Sequence, residues 1–265
     1  MEHVLFSFIL TTIAGLCTGL GSLIAFFSKK TNKIFLSVSL GVSAGVMIYV
    51  SMVELFQNAQ TDLMDYLGRK MGNGVAVIAF FGGMALIYLV EKMVPGDVDP
   101  HDPPSQHGVH EHAETSGLMK TGFFTALAIA IHNFPEGLAT FITALQAPDI
   151  ALPIIAAIAI HNIPEGISVS VPIYYATGSR RKAFLYSLIS GLTEPLGAIV
   201  GYLLLRPFLT PVLLGVVMAA VAGIMVFISF DELLPAAREY GEQHLSILGL
   251  VIGMAVMAFS LWMFL

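Results

Sequence analysis

Charge is what this sequence most conspicuously lacks. Only 11% of its 265 residues are Asp, Glu, Lys or Arg, against about 25% in a soluble domain. So few charges cannot cover the surface of a soluble protein of this size. With 56% hydrophobic residues and a mean hydropathy of +0.83, the chain reads as a membrane protein. Positive charge is scarcer than negative, and the net charge of -6 excludes nucleic acid as a partner. Cysteine is almost absent: Cys17 stands alone, which rules out a disulfide framework and a thiolate metal cluster and leaves Cys17 as a small packing residue. The first apolar run has no basic segment before it, so it is expected to stay as a membrane helix rather than be cleaved.

What is present is a series of long apolar runs. A bilayer-spanning helix needs about 20 mostly apolar residues. Eight stretches qualify, at about 4–27, 34–57, 72–92, 121–145, 150–176, 183–206, 211–235 and 245–264. With eight spans the basic residues sort by side. Lys29, Lys30, Lys33, Lys92, Lys120, Arg180, Arg181, Lys182 and Arg238 fall on one side, and Arg69, Lys70 and Arg206 on the other. The majority side is cytoplasmic, which places both termini outside the cytoplasm. The expected architecture is a single all-α, polytopic membrane domain over 1–265. One long loop, 95–120, is rich in Pro, Gly, Asp and His and is expected to be cytoplasmic and disordered. Its His101, His107, His110 and His112 are either weak metal ligands or part of a solvated linker.

Two internal repeats organise the spans. Residues 128–137 (AIAIHNFPEG) and 157–166 (AIAIHNIPEG) agree at nine of ten positions, and they lie on the fourth and fifth spans, which run antiparallel. Residues 44–55 (AGVMIYVSMVEL) and 222–233 (AGIMVFISFDEL) share six of twelve positions, on the second and seventh spans, which also run in opposite directions. Inverted repeats of this kind mark many secondary transporters, which bind substrate at the repeat interface near the midplane.

The HNxPEG motifs carry the chemistry. On a helix His132 and Glu136 are four apart and Asn133 and Glu136 three apart, so one carboxylate is flanked by two ligand types and can bridge two ions. His161, Asn162 and Glu165 repeat the set. Pro135 and Pro164 each remove a backbone donor and clash with the carbonyl four residues earlier, so spans 4 and 5 are expected to be kinked or broken where they line a cavity. Gly137 and Gly166 allow close helix approach. Glu194, followed by Pro195, adds a third mid-span carboxylate in span 6. Each carboxylate costs about 2.5–3.5 kcal/mol at the bilayer centre, and no Lys or Arg lies mid-span to offset it. The compensating charge comes from protons or from metal, and the two His and two Asn favour metal. Taken singly, Asn133 and Asn162 read as helix–helix hydrogen-bond partners, and Glu194 reads as a proton site as readily as a ligand. An imidazole, carboxylate and amide set without thiolate suits Zn2+, Fe2+, Mn2+ or Co2+ and discriminates weakly among them.

Glu54 near the outer end of span 2, and Asp231 and Glu232 near the inner end of span 7, sit where they would attract and release cations, or are ordinary interfacial acids. Met47 and Met225 are packing residues.

With HNFPEG at 132–137, HNIPEG at 161–166, SGLTEP at 190–195, SFDELLP at 229–235 and eight spans, the sequence resembles the ZIP (Zrt/Irt-like) family of metal transporters over nearly its whole length. The resemblance implies an inverted-repeat bundle and uptake of zinc, iron, manganese, cobalt or cadmium into the cytoplasm across the cell membrane. It also implies a two-metal centre, with His132, Glu136, His161 and Glu165 at one ion and Asn133, Glu136, Asn162, Glu165 and Glu194 at the other. No catalytic cofactor is expected. The partners are the divalent ions and the lipid bilayer, and the oligomeric state stays open, a homodimer included. The competing readings are an intramembrane metallohydrolase, which the absence of HExxH disfavours, and a proton-coupled carrier of another solute.

Overall fold

The computed structural model describes residues 2–23, 32–93, 110–146, 148–205, 208, 210–239 and 243–263. Every element among them is helical, and they are numbered here α1 to α8. α1 is Glu2–Gly21 and α2 runs from Lys33 to Leu67. α3 is Arg69–Met93, α4 is His110–Gln146 and α5 is Pro148–Thr177. α6 is built of Arg180–Gly191, Thr193–Val200 and a π turn at Gly201–Leu205. α7 spans Pro211–Glu239 and α8 is Gln243–Met263. All of them except α4 and α5 contain segments long and apolar enough, by length and composition, to cross a membrane. The chain is therefore a multi-pass membrane protein. α4 and α5, at 37 and 30 residues, carry the polar motifs.

Polar caps start several helices. The Asn32 side chain accepts from the Phe35 N–H at 3.0 Å, and the Thr210 hydroxyl accepts from Leu213 N–H at 3.1 Å with Pro211 opening α7. The tight turns after α2 and α5 use Gly68 and Gly178 at φ 80° and 65°, a backbone region open to glycine at little cost.

Three sequence expectations need revision. The loop predicted over 95–120 does not extend to 120, because α4 already begins at His110, and 95–109 lie outside the described residues. His101 and His107 lie outside the described residues, and His110 and His112 lie on the first turn of α4. α2 continues ten residues past the predicted end at 57, to Leu67. The added segment is amphipathic, burying Ala59 and Leu63 and exposing Asn58 and Asp62. Spans 4 and 5 are not interrupted: helix runs on through Pro135 and Pro164, since losing one N–H leaves the flanking bonds intact in a packed environment. The Pro164 carbonyl also accepts from the Ser43 hydroxyl of α2 at 2.8 Å. The interruption falls instead in α6 at Leu192, one turn before the point where Pro195 cannot donate to the Gly191 carbonyl.

Packing pairs α1 with α5, α4 with α6, α2 with α8 and α3 with α7, while α4 and α5 lie against each other at the centre. α2 and α7 share an irregularity. Each widens into a π turn, at Ser51–Leu55 and Ser229–Leu233. Ser51 donates to the Met47 carbonyl at 2.6 Å, and Ser229 to that of Met225 at 2.8 Å. Met47 and Met225 are buried core residues, so they pack as expected. π turns inside α-helices often mark functional sites, and these two hold Glu54 and Glu232.

Candidate metal centre

α4 and α5 pack face to face at the helical period of the HNxPEG motifs, which turns their His and Glu side chains toward one point. His132 Nε2 lies 3.1 Å from Glu136 Oε2 and 3.2 Å from Glu165 Oε1, and His161 Nε2 lies 2.8 Å from Glu136 Oε1. One ligand atom from each of these four residues falls within 4.8 Å of the other three. Ligand atoms about 2.0–2.1 Å from a tetrahedral ion stand about 3.3 Å apart, so the spacing matches a shared cation. All four residues are at most 3% exposed.

The second group sits one helix layer away. Asn162 donates through Nδ2 to Glu194 Oε1 and, at 2.9 Å, to the Ala14 carbonyl of α1. Its Oδ1 and Glu194 Oε2 are buried without a protein partner. Asn133 Nδ2 donates to the Ser190 carbonyl of α6 at 3.3 Å. In this orientation the Asn133 amide oxygen faces acceptors: turning the amide over would let it donate to Glu165 Oε2 at 3.3 Å and to the Ile129 carbonyl at 3.0 Å. An oxygen turned toward other oxygens is also how a ligand stands toward a cation. Asn133, Asn162 and Glu194 are completely buried. Both Asn residues therefore do tie helices together, as their single-residue reading suggested, while their oxygens stay available.

Glycine brings this layer close. A methyl group at Gly137 would collide with the Glu194 carbonyl oxygen, and one at Gly166 with that of Thr18. Backbone of α6 and α1 thus reaches the helices bearing the ligands in direct contact.

A cavity of about 320 Å³ leads from Glu136 and His161 to the Leu67 half of α2. Glu54, Asn58 and Asp62 line it at intervals of four residues, one helix face. Glu54 was expected on a path; Asn58 and Asp62 were not, because they follow the apolar run. Asp231 and Glu232 lie elsewhere, in a cluster with Glu91. Lys120 Nζ stands 3.9 Å from Glu91 Oε1. Sequence reading missed Glu91, an acid at a span end that nothing local sets apart.

A family model described as ZIP Zinc transporter matches residues 91–261. Proteins named Zinc transporter ZupT are similar over their full length. That of Clostridium perfringens is 58% identical over 100% of this chain and 98% of its own. That of Streptococcus mutans is 58% identical over 99% of each, and that of Oceanobacillus iheyensis 58% over 98% of each. With this agreement across both chains, and the paired His–Glu cluster at its core, the chain belongs to the ZIP zinc transporter family.

Proposed function

We propose that this chain takes up zinc, with weak discrimination against iron, manganese, cobalt and cadmium, into the cytoplasm through a two-ion centre at mid-membrane. The observation that carries this reading is the convergence of His132, Glu136, His161 and Glu165, buried and with one ligand atom each within 4.8 Å. They form the first ion site. Asn133, Asn162 and Glu194 form the second with Glu136 and Glu165, which are shared. Three carboxylates buried in a bilayer without a Lys or Arg beside them need a positive partner, and a passing dication supplies it. The similar proteins named as zinc transporters point to zinc as the principal cargo.

All eight helices cross the membrane in this reading, with both termini outside. The two halves form an inverted repeat. In its support, glycine contacts come in matched pairs. Gly45 of α2 meets the Leu250 carbonyl of α8, and its repeat mate Gly223 of α7 meets the Phe80 carbonyl of α3. The matched π turns fall at equivalent positions of the same repeat. The cavity with Glu54, Asn58 and Asp62 is then the outer approach, and ions pass from it to His161 and Glu136. On the opposite side Glu232, Asp231 and Glu91 receive them.

Purified protein in liposomes tests this. Glu136→Ala and Glu165→Ala are each expected to abolish zinc accumulation. Uptake at the unaltered rate in both would remove this centre from the path.

A further inference from the structure

In residue type the proposed centre is paired across a two-fold except at one position, and that position is Thr18. The symmetry extends to a repeat in α1 and α6. Residues 14–23 (AGLCTGLGSL) and 190–199 (SGLTEPLGAI) share Gly15/Gly191, Leu16/Leu192, Leu20/Leu196 and Gly21/Gly197, each pair 176 apart. The contacts obey the same exchange. Methyl groups at Gly15 and Gly191 would each strike the other's carbonyl, and one at Gly21 would strike the Ile163 carbonyl as one at Gly197 would strike that of Phe134. Asn162 donates to the Ala14 carbonyl, and Asn133 to that of Ser190, again 190 − 14 = 176 apart. Under this exchange Glu194 maps onto Thr18, since 194 − 176 = 18. The two side chains leave their helices alike, Glu194 Cβ against Gly15 and Thr18 Cβ against Gly191.

We propose that Thr18 holds the place of a fourth carboxylate in this centre, and that its short neutral side chain keeps the second ion loosely held on the Asn133 flank. This rests on the two-ion reading above. Glu194 is long enough to reach Asn162; a side chain ending at Thr Cγ2 and Oγ1 stops well short of the equivalent reach toward Asn133. The Thr18 hydroxyl is fully buried and finds no partner among the described residues. A helical Thr commonly donates to the carbonyl four residues earlier, but here that is Ala14, which already accepts from Asn162. With three carboxylates, two dications leave one positive charge in excess. A fourth carboxylate would neutralise it and trap the ions, and transport requires binding weak enough for release.

The test moves the carboxylate across the two-fold. Zinc stoichiometry is measured on purified protein by equilibrium dialysis, and uptake on proteoliposomes. Glu194→Thr is expected to reduce bound zinc from two ions to one. Adding Thr18→Glu to it should restore the second ion, whereas adding Thr18→Gln should not. In the native background Thr18→Glu should lower the KM for zinc at least tenfold and also lower Vmax. A doubly substituted protein that elutes as a monodisperse species and still binds one ion overturns the inference. Should Thr18→Glu fail to fold, Thr18→Asp, close to Thr in size, decides: a lower KM supports the inference and an unchanged one overturns it. If Glu194→Thr itself leaves two ions bound, the two-ion reading fails and not Thr18 alone.

Discussion

Glu136 is the side chain on which the centre turns, and replacing it by Gln gives the sharpest quantitative expectation. Its two oxygens approach the two imidazoles at 2.8 and 3.1 Å, so its charge serves both helices and, in the two-ion reading, both ions. Gln keeps the volume and removes the charge. A charge-assisted contact is worth about 1.5–3 kcal/mol, so losing two costs about 3–6 kcal/mol. At about 1.4 kcal/mol per decade, zinc affinity falls roughly 10² to 10⁴-fold. His161→Ala removes a side chain whose imidazole touches Glu136 alone among the carboxylates, and its cost should be about half as large on the logarithmic scale. Competition against a fluorescent chelator, in detergent and on monodisperse protein, measures both constants. A Glu136→Gln protein that binds zinc no more weakly than His161→Ala would refute the sharing of this carboxylate.

Three further outcomes follow from particular contacts. Gly137→Ala and Gly166→Ala drive a methyl into the Glu194 and Thr18 carbonyls and should each cost about 1–3 kcal/mol, lowering the thermal midpoint in detergent. Gly82→Ala, with nothing within 4 Å of the added carbon, should not lower it. Removing metal with a chelator should lower the midpoint of the native protein, because zinc at about 100 times its Kd contributes about 2.7 kcal/mol; the midpoint of Glu136→Gln should shift far less at the same zinc concentration. In a Cys17→Ala background, Asn58→Cys and Asp62→Cys should react with a membrane-impermeant thiol reagent applied outside intact cells. Ala236→Cys, buried at the other end of α7, should not.

The centre was legible in the sequence because its ligands come in two nearly identical local patterns. Helical spacing alone puts His132 beside Glu136 and His161 beside Glu165, and the duplication makes two antiparallel spans the natural frame. The acids at span ends were legible only in part: Glu54 falls inside an apolar run, while Asn58 and Asp62 follow it on an amphipathic turn that reads as loop by hydropathy. The start of α4 at His110 was hidden by a polar, proline-rich composition. Pro135 and Pro164 read as kinks or breaks because the lost donor is local information, and the packing that carries the helix past it is not. The α1/α6 repeat is not legible in the sequence because its identities are glycine and leucine, which any membrane helix supplies. Only the paired backbone contacts single them out, and with them Thr18.

The most direct measurement is anomalous diffraction at the zinc edge from crystals of the zinc-loaded protein. Two zinc peaks are expected, both within ligand distance of Glu136 and Glu165, one toward the His132 and His161 imidazoles and the other toward Glu194. Zinc found only among exposed acids, with none between α4 and α5, would contradict the account.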